Sequence, residues 1–211
     1  MDLRLIVVTD RGLAAPRKVR EIVEAALAAG APAVQLRDKT ATARELFEQA
    51  TALLPRIREY GALLFVNDRL DAALAAGADG AHLGPDDLPV AAARRAAPAG
   101  FLIGYSTDDP ETARRAVADG AAYIGCGAVF GTTTKAEAGQ EGIGTERLDS
   151  VARAVDVPVV GIGGITPANV AQVAATAAAG AAVVGAVMAA ADPAAAVRAL
   201  LAPFPDRPRL R

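Results

Sequence analysis

The chain has one cysteine, one histidine, few aromatic residues and almost no net charge, and most of these shortages exclude a class of function. A lone thiol, Cys126, cannot close an intramolecular disulfide, and the apolar run around it suits a buried, inert side chain rather than redox chemistry. Aromatic residues are 4% of the 211, too few for base-stacking platforms. Against 24 acidic residues stand 22 basic ones, so a net charge of -2 supplies no field that would gather nucleic acid. Hydrophobic residues reach 53%, yet they come in short runs broken by charge, and none approaches the ~18 residues of a membrane-spanning helix. The run Leu5–Val8 follows the N-terminus too closely to leave room for a secretory signal, so a cytoplasmic location is expected. Small-molecule partners are therefore expected, with no nucleic acid and no membrane, and a homo-oligomer is left open.

What is present is alternation. Strand-like runs fall at Leu5–Thr9, Ala33–Leu36, Leu63–Val66, Gly80–Leu83, Leu102–Tyr105, Ala122–Cys126, Val157–Gly161 and Ala182–Gly185. Each is followed by a helix-like segment, such as Ala43–Glu59, where Leu46, Ala50, Leu53, Leu54 and Ile57 recur at helical spacing. Strictly alternating units without a second zone of composition predict an α/β fold, a single (β/α)8 TIM barrel spanning 1–211, with an open doubly wound sheet as the alternative. Gly30, Gly77, Gly120 and Gly180 each follow a helix and precede an even-numbered strand, where glycine can take the left-handed conformation. Pro110, Pro167 and Pro193 mark helix starts, with Thr166 and Asp192 placed to cap. The segment 203–211 alternates proline with charge and reads as a loose tail.

In such a barrel the site lies at the C-terminal ends of the strands, so the residues just past each strand are the informative ones. After the second come Gln35, Arg37 and Lys39, which strand periodicity sends to one side, two cations and an amide suited to a phosphate or diphosphate. A solvated charge cluster is the plainer alternative. Asn67 and Asp68 come after the third strand, Asp86 and Asp87 after the fourth. Asp68 with Asp87 meets the demand of magnesium for hard oxygen and one or two carboxylates. These groups could equally cap the helices near Leu70 and Val90, and without the neighbouring cations capping would be preferred. His82, on a strand, reads as packed or hydrogen-bonded and is assigned no chemistry. Ser106 ends the fifth strand, although Asp108 and Asp109 are better placed to cap the helix from Pro110. The longest connection, from Gly127 to Gly144, holds Thr132, Thr133, Thr134 and Lys135, hydroxyls and an ammonium that suit an anion on a segment able to move as a lid, or else a plain polar loop. The seventh strand runs into Gly161, Gly163 and Gly164, and the eighth ends at Val184 and Gly185, where barrels frequently hold phosphate through backbone amides.

Taken together, Gln35-Leu36-Arg37-Asp38-Lys39, Asn67-Asp68, His82-Leu83-Gly84, Gly104-Tyr105-Ser106, Thr132-Thr133-Thr134-Lys135 and Gly161-Ile162-Gly163-Gly164-Ile165 resemble the thiamine phosphate synthase family over essentially the whole barrel. The resemblance implies a transferase that joins a hydroxymethylpyrimidine diphosphate to a thiazole phosphate, or its carboxylated form, and releases diphosphate. It further implies that Gln35, Arg37, Lys39, Asn67, Ser106 and Lys135 contact the pyrimidine diphosphate, with Arg37, Lys39 and Lys135 serving catalysis. Asp68 and Asp87 are implied as ligands of Mg2+, and Thr132, Thr134, Gly164, Val184 and Gly185 as the thiazole phosphate site. Gly185 stands where many members have serine, and Pro85 replaces a frequent glutamine. The related thiazole tautomerase uses a histidine two residues after the serine of the fifth strand, a position held here by Asp108. A barrel that only binds phosphate ligands is the non-enzymatic alternative, against which the intact carboxylates and cations speak.

Overall fold

The computed structural model describes residues 1–131 and 142–205. Its strands are β1 (Leu5–Val8), β2 (Ala33–Leu36), β3 (Leu63–Asn67), β4 (Gly80–Leu83), β5 (Leu102–Ser106), β6 (Tyr123–Gly127), β7 (Val159–Ile162) and β8 (Gly180–Val183). All pair in parallel and in chain order, and β8 returns to β1 to close the barrel. The helices are α1 (Arg11–Ala14), α2 (Val19–Ala28), α3 (Ala43–Glu59), α4 (Leu70–Ala76), α5 (Val90–Ala96), α6 (Pro110–Ala118), α7 (Gly144–Ala154), α8 (Val170–Ala174), α9 (Gly185–Met188) and α10 (Pro193–Leu201). Among the described residues no helix is long and apolar enough to cross a membrane.

Two cores arise from strand periodicity. Ile6 and Val8 point into the barrel, where they meet Ala33, Phe65, Tyr123, Val160 and Ala182. Leu5 and Val7, on the opposite face, join the larger core between strands and helices. α3 shows why the helices lie down as they do. Thr42 and Glu45 close a reciprocal cap at its start, and Leu46, Ala50, Leu53, Leu54 and Ile57 bury one stripe.

Gly30, Gly77 and Gly120 take positive φ after their helices as expected, but Gly180 does not. It is the first residue of β8, and a Cβ there would lie 1.9 Å from the Leu3 carbonyl oxygen, so close approach of β1 explains the glycine. β8 consequently runs from Gly180 to Val183 instead of Ala182–Gly185, and Val184 and Gly185 open the short helix α9. Pro110 and Pro193 stand in first turns behind the capping side chains of Asp109 and Asp192. Pro167 and Thr166 do not begin a helix: α8 starts at Val170, and Asn169 instead receives the Thr166 amide at 2.8 Å. The expected loose tail also needs correcting, because Phe204 is buried against the core; residues 206–211 lie outside the described residues.

Candidate active site

The strand ends open into a cavity of about 1260 Å³. Gln35, Arg37, Asn67, His82 and Ser106 line one side of it, and Gly163, Gly164, Val184 and Gly185 the other.

β2 delivers Gln35 and Arg37 to the same face because they are two residues apart. Gln35 is buried and its Nε2 donates to Asn67 Oδ1 at 2.7 Å, which locks the two amides of neighbouring strands together. Arg37 lies one residue past the strand, and Thr9 extends the ladder to it. The Thr9 hydroxyl accepts from the Arg37 amide at 2.9 Å and donates to its carbonyl at 3.1 Å. The guanidinium reaches Asp10, with Nη1 at 3.3 Å from Oδ2, while Asp10 Oδ1 caps α1 through the Leu13 amide. Arg37 Nε is buried and has no hydrogen-bond partner among the described residues. A buried charged donor without a partner is a costly feature, and Arg37 as a residue lines the cavity, where a guanidinium suits an anionic ligand.

Lys39 does not continue the series into the cavity. The strand has ended at Leu36, and the next turn swings the ammonium to Asp68, 3.3 Å away. Asp38 is tied beside it. Burial pushes its carboxyl up, but hydrogen bonds from the Thr40 hydroxyl and amide and the charge of Arg11 outweigh this and hold it below the ordinary value.

Neither capping alternative holds for the carboxylates. α4 and α5 begin without side-chain caps, at Arg69 and Pro89. Asp87 instead accepts the Gly84 amide at 2.6 Å, and Asp68 takes a positive φ of 62°. Burial raises the Asp87 carboxyl above its ordinary value, against the opposing Gly84 hydrogen bond. The facing Asp68 carboxylate, within hydrogen-bonding reach, adds to the rise. Two carboxylates held face to face beside a single ammonium form a hard-oxygen pair that a divalent cation fits. Among the described residues no group of three or more His, Cys, Asp or Glu gathers for a metal.

On the opposite side, Gly163 and Gly164 have φ of 100° and 64°, and their surroundings leave no room for a side chain. A Cβ on Gly164 would lie 1.7 Å from the Phe130 carbonyl oxygen, because the chain after β6 lies against this turn, with Phe130 N donating to Gly163 O at 3.0 Å. At Gly185 a Cβ would meet only Leu13, at 3.8 Å, so the absent side chain leaves open space beside the cavity. Thr132, Thr133, Thr134 and Lys135 lie outside the described residues.

Two residues of the site were not singled out for chemistry by sequence. His82 is buried between Tyr123 Oη, 2.8 Å from Nδ1, and Ser106 Oγ, 2.7 Å from Nε2. Tyr123 is fully buried and lines the floor of the same cavity. Only the glycines at 104 and 125 hinted at the room these rings require. Asp108, in the place of the tautomerase histidine, also lines the cavity, and Asp109 caps α6.

A family profile described as thiamine monophosphate synthase matches residues 5–187. The thiamine-phosphate synthase of Roseiflexus castenholzii is 50% identical over 194 residues, covering 92% of this chain and 85% of its own. That of Natronomonas pharaonis is 46% identical, with 94% of each chain covered. The solved structure of thiamine phosphate pyrophosphorylase from Pyrococcus furiosus superposes with a TM-score of 0.86 at 43% identity, over 94% of each chain. On the strength of a match that runs through the barrel from β1 to α9, with the polar strand ends in one cavity, this chain belongs to the thiamine monophosphate synthase family.

Proposed function

We propose that the chain is a cytoplasmic transferase of thiamine biosynthesis. It condenses 4-amino-2-methyl-5-hydroxymethylpyrimidine diphosphate with 4-methyl-5-hydroxyethylthiazole phosphate to give thiamine phosphate and diphosphate; from the carboxylated form of the thiazole, carbon dioxide is released as well. The observation that carries this reading is the cavity with Gln35, Arg37, Asn67 and Ser106 on one side and the glycines of β7 and α9 on the other. Two anionic substrates can lie there side by side.

Arg37, Lys39 and Lys135 take the diphosphate, Lys39 and Lys135 by resemblance, and the place of Arg37 in the cavity wall supports its part. Gln35, Asn67 and Ser106 hold the pyrimidine. Gly164, Val184 and Gly185 take the thiazole phosphate through the backbone, with Thr132 and Thr134 by resemblance. Asp68 and Asp87 fit Mg2+ as hard ligands, and the ion, when bound, supplies positive charge against a diphosphate leaving group. The reaction breaks the bond between the pyrimidine methylene carbon and the diphosphate oxygen and forms one from that carbon to the thiazole nitrogen. The aminopyrimidine itself stabilises positive charge as the diphosphate departs, so no protein nucleophile is required. What remains for the side chains is to neutralise the leaving group and to orient the attacking nitrogen.

The test is a coupling assay with purified protein, Mg2+ and both substrates. Thiamine phosphate is expected, Asp68→Ala and Lys135→Ala should lower turnover at least about a hundredfold with the fold intact, and tautomerisation of the carboxylated thiazole phosphate should not be accelerated. Absence of product with any divalent metal would remove the synthase reading.

A further inference from the structure

Ser106 does not stand alone in the cavity wall. His82 Nε2 is 2.7 Å from its Oγ, and on the far side of the ring His82 Nδ1 is 2.8 Å from Tyr123 Oη. The arrangement is built rather than incidental. β4 places His82 directly beside Gly104 of β5, and a Cβ on Gly104 would lie 2.5 Å from His82 Nδ1 and 2.2 Å from Tyr123 Cζ. A Cβ on Gly125 of β6 would lie 3.0 Å from His82 Cε1. Two glycines on adjacent strands thus make the slot in which the imidazole and the phenol meet. Phe65 packs edge-on against Tyr123 from below, with ring centroids 5.1 Å apart.

Proton placement can be settled by donor counting. Burial raises the Tyr123 phenol far above its ordinary value, so its proton stays on. That proton is a donor with His82 Nδ1 as its only polar partner among the described residues. Were Nδ1 also protonated, two donors would face each other and a buried O–H would be left unsatisfied, which costs more than leaving a phenol lone pair unused. The phenol therefore donates to Nδ1, the neutral imidazole carries its proton on Nε2, and Nε2 donates to Ser106 Oγ. The Ser106 hydroxyl has no other protein hydrogen bond among the described residues, and Ser106 lines the cavity. With a lone pair engaged by His82, its own proton is not used in that contact and is available to an acceptor in the cavity.

We propose that Tyr123 and His82 are positioning residues that fix Ser106 as a hydrogen-bond donor to the cavity, so that the site reads an acceptor nitrogen of the substrate's aromatic heterocycle rather than an amino group. This rests on the assignment of Ser106 to the pyrimidine diphosphate. It makes the relay a determinant of which heterocycle is accepted, acting through three strands and entirely within the barrel wall.

His82 is the only histidine of the chain, so its tautomer can be read directly from long-range proton–nitrogen correlation of uniformly 15N-labelled, full-length protein. A neutral ring protonated at Nε2 is expected, and a ring protonated at Nδ1 would overturn the proposal. That arm needs no turnover, so it stands apart from any failure of the coupling reaction itself. The second arm is a cycle of KM values for the pyrimidine diphosphate. Tyr123→Phe keeps the ring and should raise KM about fivefold in the presence of Ser106, with kcat little changed. In a Ser106→Ala background it should have almost no further effect, since its action passes through that hydroxyl. Equal effects in both backgrounds would mean that Tyr123 serves only packing.

Discussion

Arg37 lines the cavity with its backbone and one guanidinium nitrogen tied. Thr9 fixes its backbone, Asp10 holds Nη1, and Nε is buried without a partner among the described residues. The planar fork is thus aimed before any ligand arrives, and a lysine would carry the charge without that geometry. Arg37→Lys should therefore raise KM for the pyrimidine diphosphate by about tenfold or more, while thermal unfolding is little altered because relief of the unsatisfied buried donor offsets the weakened contact with Asp10. An unchanged KM would deny Arg37 its contact. Cys126 makes the opposite case. Burial foremost, with the Asp108 charge adding, pushes its thiol up to about 12, so it should resist alkylation at pH 8 until the chain is unfolded. Fast labelling of the native protein would contradict this. Gln35, Arg37, Asn67 and Ser106 were legible because a period of two and the barrel's polar end suffice to find them. Lys39 was half legible, since its place depends on where β2 stops. The role of His82 was not legible, because it depends on a tyrosine two strands away that no local pattern connects to it.

At the level of elements, the glycines separate into those needed for conformation and those needed for space. Gly100 has a φ of 83° with nothing within 4 Å of where a Cβ would stand, whereas Gly180 has ordinary φ but a backbone oxygen 1.9 Å away. Gly100→Ala is expected to cost about 1 to 2 kcal/mol, and Gly180→Ala about 3 kcal/mol or more, because β1 and β8 must part to admit it. Chemical denaturation of the two variants measures the difference, and a reversed order would refute the distinction. The same contrast explains which boundaries the sequence concealed. α3 was readable throughout because its cap and its apolar stripe agree. β8 was displaced because Gly180, Ala181 and Ala182 have little strand propensity, and only closure of the barrel against Leu5 and Ile6 makes them a strand.

For the molecule as a whole, closure places β2 to β5 opposite β7 and α9 across one cavity, and the proposed division of labour follows that circular order. One half offers a tethered guanidinium, amides and a serine. The other offers close-packed glycine backbone and the open space beside Gly185. Alternation of the strands made the barrel readable from sequence, and the rule that barrels act at their C-terminal ends made the rim readable. The packing of the loop after β6 against Gly163 and Gly164 was not, since it joins segments brought together only in the folded chain. On the proposed assignment the two substrates occupy adjacent sites. The most direct measurement is a paired determination of KM for both substrates in Arg37→Ala and in Gly185→Leu. Arg37→Ala should raise the value for the pyrimidine diphosphate and spare that for the thiazole phosphate, and Gly185→Leu should do the reverse; equal increases for both substrates in either variant would contradict two separate sites.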